Sequence, residues 1–117
     1  MTRQQKLLTR AQASDLARAV AREFNINMTI AEADRDWIPT AIAGRRDGCV
    51  ELFIPSRVRL DSLIFEATLY VESLPPKYRH WQRTASGRPR SEITIRRQCQ
   101  KRARELARGL GLAKGEA

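Results

Sequence analysis

One histidine and two cysteines are the only imidazole and thiol groups among 117 residues. Cys49 and Cys99 lie far apart and belong to no Cys-x-x-Cys pair, so a four-ligand zinc site cannot be assembled. Two reduced, partly buried thiols in a reducing compartment are the expectation. No apolar run approaches the roughly 20 residues of a membrane span, so no membrane role is expected. The opening Met-Thr-Arg-Gln-Gln-Lys leads to Arg10 and Asp15 without an apolar stretch. No signal peptide is therefore expected, and the expected location is the cytoplasm. A Gly-rich phosphate loop is also missing.

The shortages extend to catalytic groups. Glu32, Asp34, Asp36, Asp47 and Glu51 form the only concentration of acids. Glu32-x-Asp34-x-Asp36 lacks the glycine and later glutamate of a calcium loop. Asp47 and Glu51 are similar to the start of metal-dependent nuclease cores, where a strand carries Asp and then Glu-x-Lys. Here the stretch reads Glu51-Leu52-Phe53, without the lysine. The order helix, hairpin, helix resembles that of small zinc peptidases, yet the segment where His-Glu-x-x-His would stand reads Ile64-Phe65-Glu66-Ala67-Thr68. His80, the only histidine, reads as a surface side chain or a core hydrogen bonder. No catalytic residue, metal or cofactor is expected, and the chain is not expected to be an enzyme.

The chain does have the means for one core. Its hydrophobic content is 42%, ordinary for a globular domain, and a chain of this length buries roughly two thirds of its unfolded surface. Residues 4–24 are Ala-rich and free of Gly and Pro, which predicts a helix. Ala13, Leu16, Ala17, Val20 and Phe24 share one helical stripe; Leu7 and Leu8 fall off it. Ser14, followed by Asp15, has the form of an N-cap, which would divide the region into two short helices. In 26–36, Thr29 and Glu32 have capping-box spacing, whereas Ile26, Met28 and Ile30 alternate as in a strand; a strand is expected.

The strongest β signal runs from Ile38 to Ala43 and from Cys49 to Ile54, with Arg45-Arg46-Asp47-Gly48 as the turn of a hairpin. Pro55 and Ser56 close it. Over 61–74 both a helical face (Leu63, Ile64, Ala67, Tyr70, Val71, Leu74) and a strand-like alternation can be traced. The length exceeds that of a normal strand, Asp61 or Ser62 can cap a helix and Pro75-Pro76 can stop one, so a buried helix is predicted. A helical turn is expected at 77–83, a Ser/Gly/Pro-rich loop at 84–90, and a last helix from Ser91 to about Arg108, ending at Gly109 or Gly111.

Charge supplies the functional signal. Residues 1–76 carry ten basic and ten acidic side chains. Residues 77–104 carry Lys77, Arg79, Arg83, Arg88, Arg90, Arg96, Arg97, Lys101, Arg102 and Arg104 against the single acid Glu92, which is the whole net charge of +9. In the last helix Ile95, Cys99, Ala103, Leu106 and Leu110 cluster on one face, and Arg97, Lys101, Arg104 and Arg108 line the other over about 16 Å. Such a row repels itself at i, i+4 spacing. A polyanionic partner relieves that repulsion. Tyr78 and Trp81, set among Lys77, Arg79 and Arg83, are a combination that can stack bases while neutralising phosphates. Ser86-Gly87-Arg88-Pro89-Arg90 resembles part of an AT-hook, whose core is an Arg-Gly-Arg-Pro stretch lying in the minor groove, with Ser86 in place of the first Arg. The resemblance covers about five residues and implies a loop that enters a groove or becomes ordered on binding.

The expected architecture is a single α+β domain. It comprises a neutral core at 1–76 with a small antiparallel sheet around the 38–54 hairpin, a basic flexible loop at 77–91, and a basic amphipathic helix at 92–110 packed on the core. The expected function is non-catalytic binding of DNA or RNA through Lys77, Arg79, Arg83, Arg88, Arg90, Arg96, Arg97, Lys101, Arg104 and Arg108, with Tyr78 and Trp81 stacking. The rival reading is an accessory factor, of bacterial or phage type, whose basic face docks on an acidic protein surface. A winged helix-turn-helix with helices in 14–36 and its wing at 38–54 is disfavoured by the neutral charge of that half.

Overall fold

The computed structural model describes residues 7–33, 38–69 and 74–112. The chain folds into an α+β arrangement: β1 (Leu7–Thr9), α1 (Arg10–Phe24), β2 (Met28–Glu32), β3 (Ile42–Arg46), β4 (Cys49–Ile54), β5 (Arg57–Arg59) and α2 (Leu60–Leu69). A 3-10 turn (Pro76–Tyr78), α3 (Arg79–Gln82) and α4 (Glu92–Gly109) follow.

The first helix begins where its donors are capped. Thr9 accepts a hydrogen bond from the Gln12 N–H, and the Gln12 side chain accepts one from the Thr9 N–H, a reciprocal capping box. Ser14 therefore sits inside one continuous helix instead of starting a second. The stripe Ala13, Leu16, Ala17, Val20 and Phe24 is buried as its spacing requires. Leu7 and Leu8 fall off that stripe because they belong to β1, which pairs antiparallel with β5 and sets Leu8 opposite Val58, both fully buried. Asn25 ends the helix in the left-handed region, φ 57°, where Asn is among the few tolerated side chains.

β2, β4 and β3 form the second sheet, in that order. β2 runs parallel to β4, and β3 runs antiparallel to it. The sheet is thus mixed, not purely antiparallel as expected. The hairpin starts later than its composition implied. Pro39 has no N–H to give a ladder, and its carbonyl instead accepts from the Arg59 N–H, so β3 begins only at Ile42. Arg45 and Arg46 are strand residues, and the turn is Asp47-Gly48 alone, with φ 51° and 75°. Two positive φ values make a type I′ turn, whose twist matches that of paired strands. β4 alternates as predicted, with Val50, Leu52 and Ile54 buried. Because β2 is a strand, the described residues of 14–36 hold one helix and not the pair a helix-turn-helix needs.

α2 follows β5 directly and buries Leu63, Ile64, Ala67 and Thr68, the last returning its hydroxyl to the Ile64 carbonyl. Tyr70 and Val71, expected on the same face, lie outside the described residues. Asp61 and Ser62 do not cap it. The Ser62 hydroxyl accepts from the Ala41 N–H at 3.0 Å, and one turn later Glu66 accepts from the Ala43 N–H at 3.3 Å. Two side chains of α2 thus satisfy donors along the edge of β3, which would otherwise be an open sheet edge. α1 and α2 touch the sheet, and α4 packs chiefly on those two helices. Among the described residues, no helix is long and apolar enough to cross a membrane.

Candidate nucleic-acid interface

α4 starts at Ser91, whose hydroxyl accepts from the Thr94 N–H, with Glu92 favourably placed in the first turn. It ends in a pair of bonds from Gly111 N–H to the Arg108 carbonyl and from Leu112 N–H to the Ala107 carbonyl. This is a Schellman arrangement, and it needs the positive φ of Gly111, 75°. Leu112 turns back into the core. The buried stripe of the helix is Cys99, Ala103 and Ala107, with Ile95 and Leu106 packed at its edges. Leu110 lies past the last turn and is 46% exposed, so Ala107 takes the place expected of it. Small residues let α4 approach α1 and α2 closely, and Arg97, Lys101, Arg104 and Arg108 stay exposed.

The cations predicted to bind phosphate divide into two groups. Lys77 pairs with Glu23 at 3.0 Å, Arg96 with Glu92 at 2.6 Å, and Arg104 comes within 3.8 Å of Asp61. Arg102, one of the ten cations of 77–104 but not one of the expected phosphate contacts, joins Glu23 at 3.3 Å and Glu105 at 3.0 Å. Glu23 is therefore a bridge between the 76–82 segment and α4. Burial by itself raises the Glu23 carboxyl, but the hydrogen bonds and charges of Lys77 and Arg102 outweigh it and hold the group below its ordinary value. Its hydrogen bonds to Glu23 and then Glu105 push the Arg102 guanidinium up. By contrast Arg79, Arg88, Arg97, Lys101 and Arg108 are exposed and have no carboxylate partner among the described residues. Arg83 and Arg90 donate to the backbone carbonyls of Gly87 and Arg83 respectively, and neither has a carboxylate partner among the described residues.

The aromatics pack toward the core. Tyr78 is 8% exposed and packs in the core against Phe24, with ring centroids 5.5 Å apart. Trp81 stacks on Tyr78 at 4.2 Å and packs against the same core. Their apolar faces close the end of the α1–α4 interface, so Tyr78 has no ring face to offer a base. Nor is 77–91 a single loop. Its first part is helical, and the rest folds on itself: Thr84 N–H to Arg88 carbonyl, Gly87 N–H to Thr84 carbonyl, and Arg90 N–H to Gln82 carbonyl. The AT-hook-like stretch is the tip of this tight turn, with Gly87 at φ 83°. The turn brings Arg90 beside Arg96 and Glu92 in a cleft of about 290 Å³.

His80 is exposed, Cys49 is half-buried and Cys99 is buried. Both cysteines are free thiols, and burial pushes Cys99 up to about 11, which suppresses its thiolate. Among the described residues, no three His, Cys, Asp or Glu side chains are grouped to hold a metal ion. No family model, curated protein or solved structure matches the chain.

Proposed function

We propose that this chain binds nucleic acid without catalysing a reaction, neutralising phosphates with the exposed cations of α4 and of the segment that precedes it. The observation that carries this reading is the row Arg97, Lys101 and Arg108, which points to solvent from a helix whose other side is fully engaged in packing. Like charges at this spacing cost helix stability when no anion is near, and a phosphate backbone removes that cost. Arg79, Arg83, Arg88 and Arg90 extend the positive region, with guanidinium geometry suited to phosphate oxygens.

The test is the double substitution Arg97→Glu with Lys101→Glu, read by fluorescence polarisation with labelled duplex and single-stranded oligonucleotides. Both side chains are exposed, so the far-UV circular dichroism should be unchanged while binding is lost. Undiminished binding would remove α4 from the role.

A further inference from the structure

A larger cleft of about 470 Å³ opens between β5, α2 and α4, lined in part by Arg59, Asp61, Phe65, Gln100 and Arg104. Its size is within the range of small-molecule sites. Arg59 is part of that lining, and its Nε is buried without a hydrogen-bond partner. A buried guanidinium donor left unpaired is costly, and few native groups are left so. Arg104 stands on the opposite wall. Its nearest carboxylate, Asp61, is 3.8 Å away, too far for a hydrogen bond, so its donor fork is uncommitted. Two arginines and one carboxylate thus line an open cleft, leaving an excess of positive charge.

Phe65 supplies a different kind of surface. It is 50% exposed on a helix whose neighbouring apolar residues Leu63, Ile64 and Ala67 are buried. An aromatic face beside two arginines and the amide of Gln100 combines a stacking platform, phosphate donors and a group that both donates and accepts. Arg104 also belongs to the cationic row of α4, so the cleft is continuous with the surface proposed to follow the phosphates. We infer that the cleft receives one unpaired nucleotide of the bound strand, with its phosphate between Arg59 and Arg104 and its base against Phe65. This rests on the phosphate-binding reading of α4 and deepens it by specifying a strand with accessible bases. A base held in a duplex is stacked and paired, and cannot reach such a site.

The probes are a short labelled oligouridylate and a duplex of equal length, titrated by fluorescence polarisation. Phe65→Ala should weaken oligouridylate binding about tenfold, the scale of one lost base–aromatic stack, and leave the duplex unchanged. Phe65→Trp should retain single-strand binding, and Phe65→Leu should behave as Phe65→Ala, since it keeps the bulk without the ring. Asp61→Asn should tighten the single strand by removing the one anion at the rim. If Phe65→Ala binds the oligouridylate as tightly as the unaltered chain, while Arg97→Glu with Lys101→Glu does not bind it, the cleft assignment is overturned and the α4 reading stands. If the double variant binds undiminished, the α4 reading falls and takes this inference with it.

Discussion

At the scale of single residues, Glu23 shows how a cation can appear free in the sequence and be committed in the fold. Its side chain is 13% exposed and holds both Lys77 and Arg102. Glu23→Gln leaves two cations without their shared anion and should destabilise the fold by about 1–2 kcal/mol, measured by urea unfolding at neutral pH. The pH dependence has a definite sign. The folded carboxyl lies below its unfolded value of 4.5, so its stabilisation is complete above that value and is lost as the pH falls through the lower folded pKa. The gap between the unaltered chain and Glu23→Gln should therefore close on acidification; a gap that widens would contradict the assignment. Cys99 offers a second check at this scale. With the thiol buried and its pKa near 11, iodoacetamide at mildly alkaline pH should modify Cys49 and spare Cys99 until the chain is unfolded. Peptide mass spectrometry reads both sites.

At the scale of elements, legibility followed the range of the interaction. Helix stripes and the hairpin turn are local, and the burial of Ala13, Leu16, Ala17, Val20 and Phe24 was readable from spacing alone. What was not readable depends on partners distant in sequence. β1 is three residues long and exists because β5 lies beside it, and its pattern carries no period of its own. The β2–β4 pairing is parallel across the intervening hairpin, a choice of topology that alternation cannot encode. Tyr78 and Trp81 illustrate the same limit at the proposed interface. Aromatics among cations have one sequence pattern whether they face a base or a core, and Phe24, more than fifty positions earlier, decides it. Phe65, Arg59 and Gln100 were missed because only tertiary packing brings them to one cleft. The one available signal was that Phe65 falls off the buried stripe of α2. The local elements give a direct test. Gly48→Val places a β-branched residue at φ 75° and should lower stability by about 1–2 kcal/mol. Thr9→Ala, which removes the cap of α1, should cost about 1 kcal/mol. Thermal unfolding followed by circular dichroism measures both.

At the scale of the whole molecule, the sequence separates a neutral body from a cationic end, and the fold keeps part of that separation and cancels part. Of the ten cations in 77–104, Lys77, Arg96, Arg102 and Arg104 have carboxylates within ion-pair range. The other six, Arg79, Arg83, Arg88, Arg90, Arg97 and Lys101, have none among the described residues, and Arg108 adds a seventh just beyond that stretch. Exposed cations of this number are screened by salt, and any complex they form releases condensed counterions. That makes the salt dependence of binding the most direct measurement of the central claim. With about six phosphates neutralised, the logarithm of the association constant for duplex DNA should fall against the logarithm of salt concentration with a slope near −5, and substitution of Arg97 and Lys101 by the neutral Gln should weaken binding and flatten the slope by about two. A slope near zero, or one unchanged by that substitution, would contradict the account.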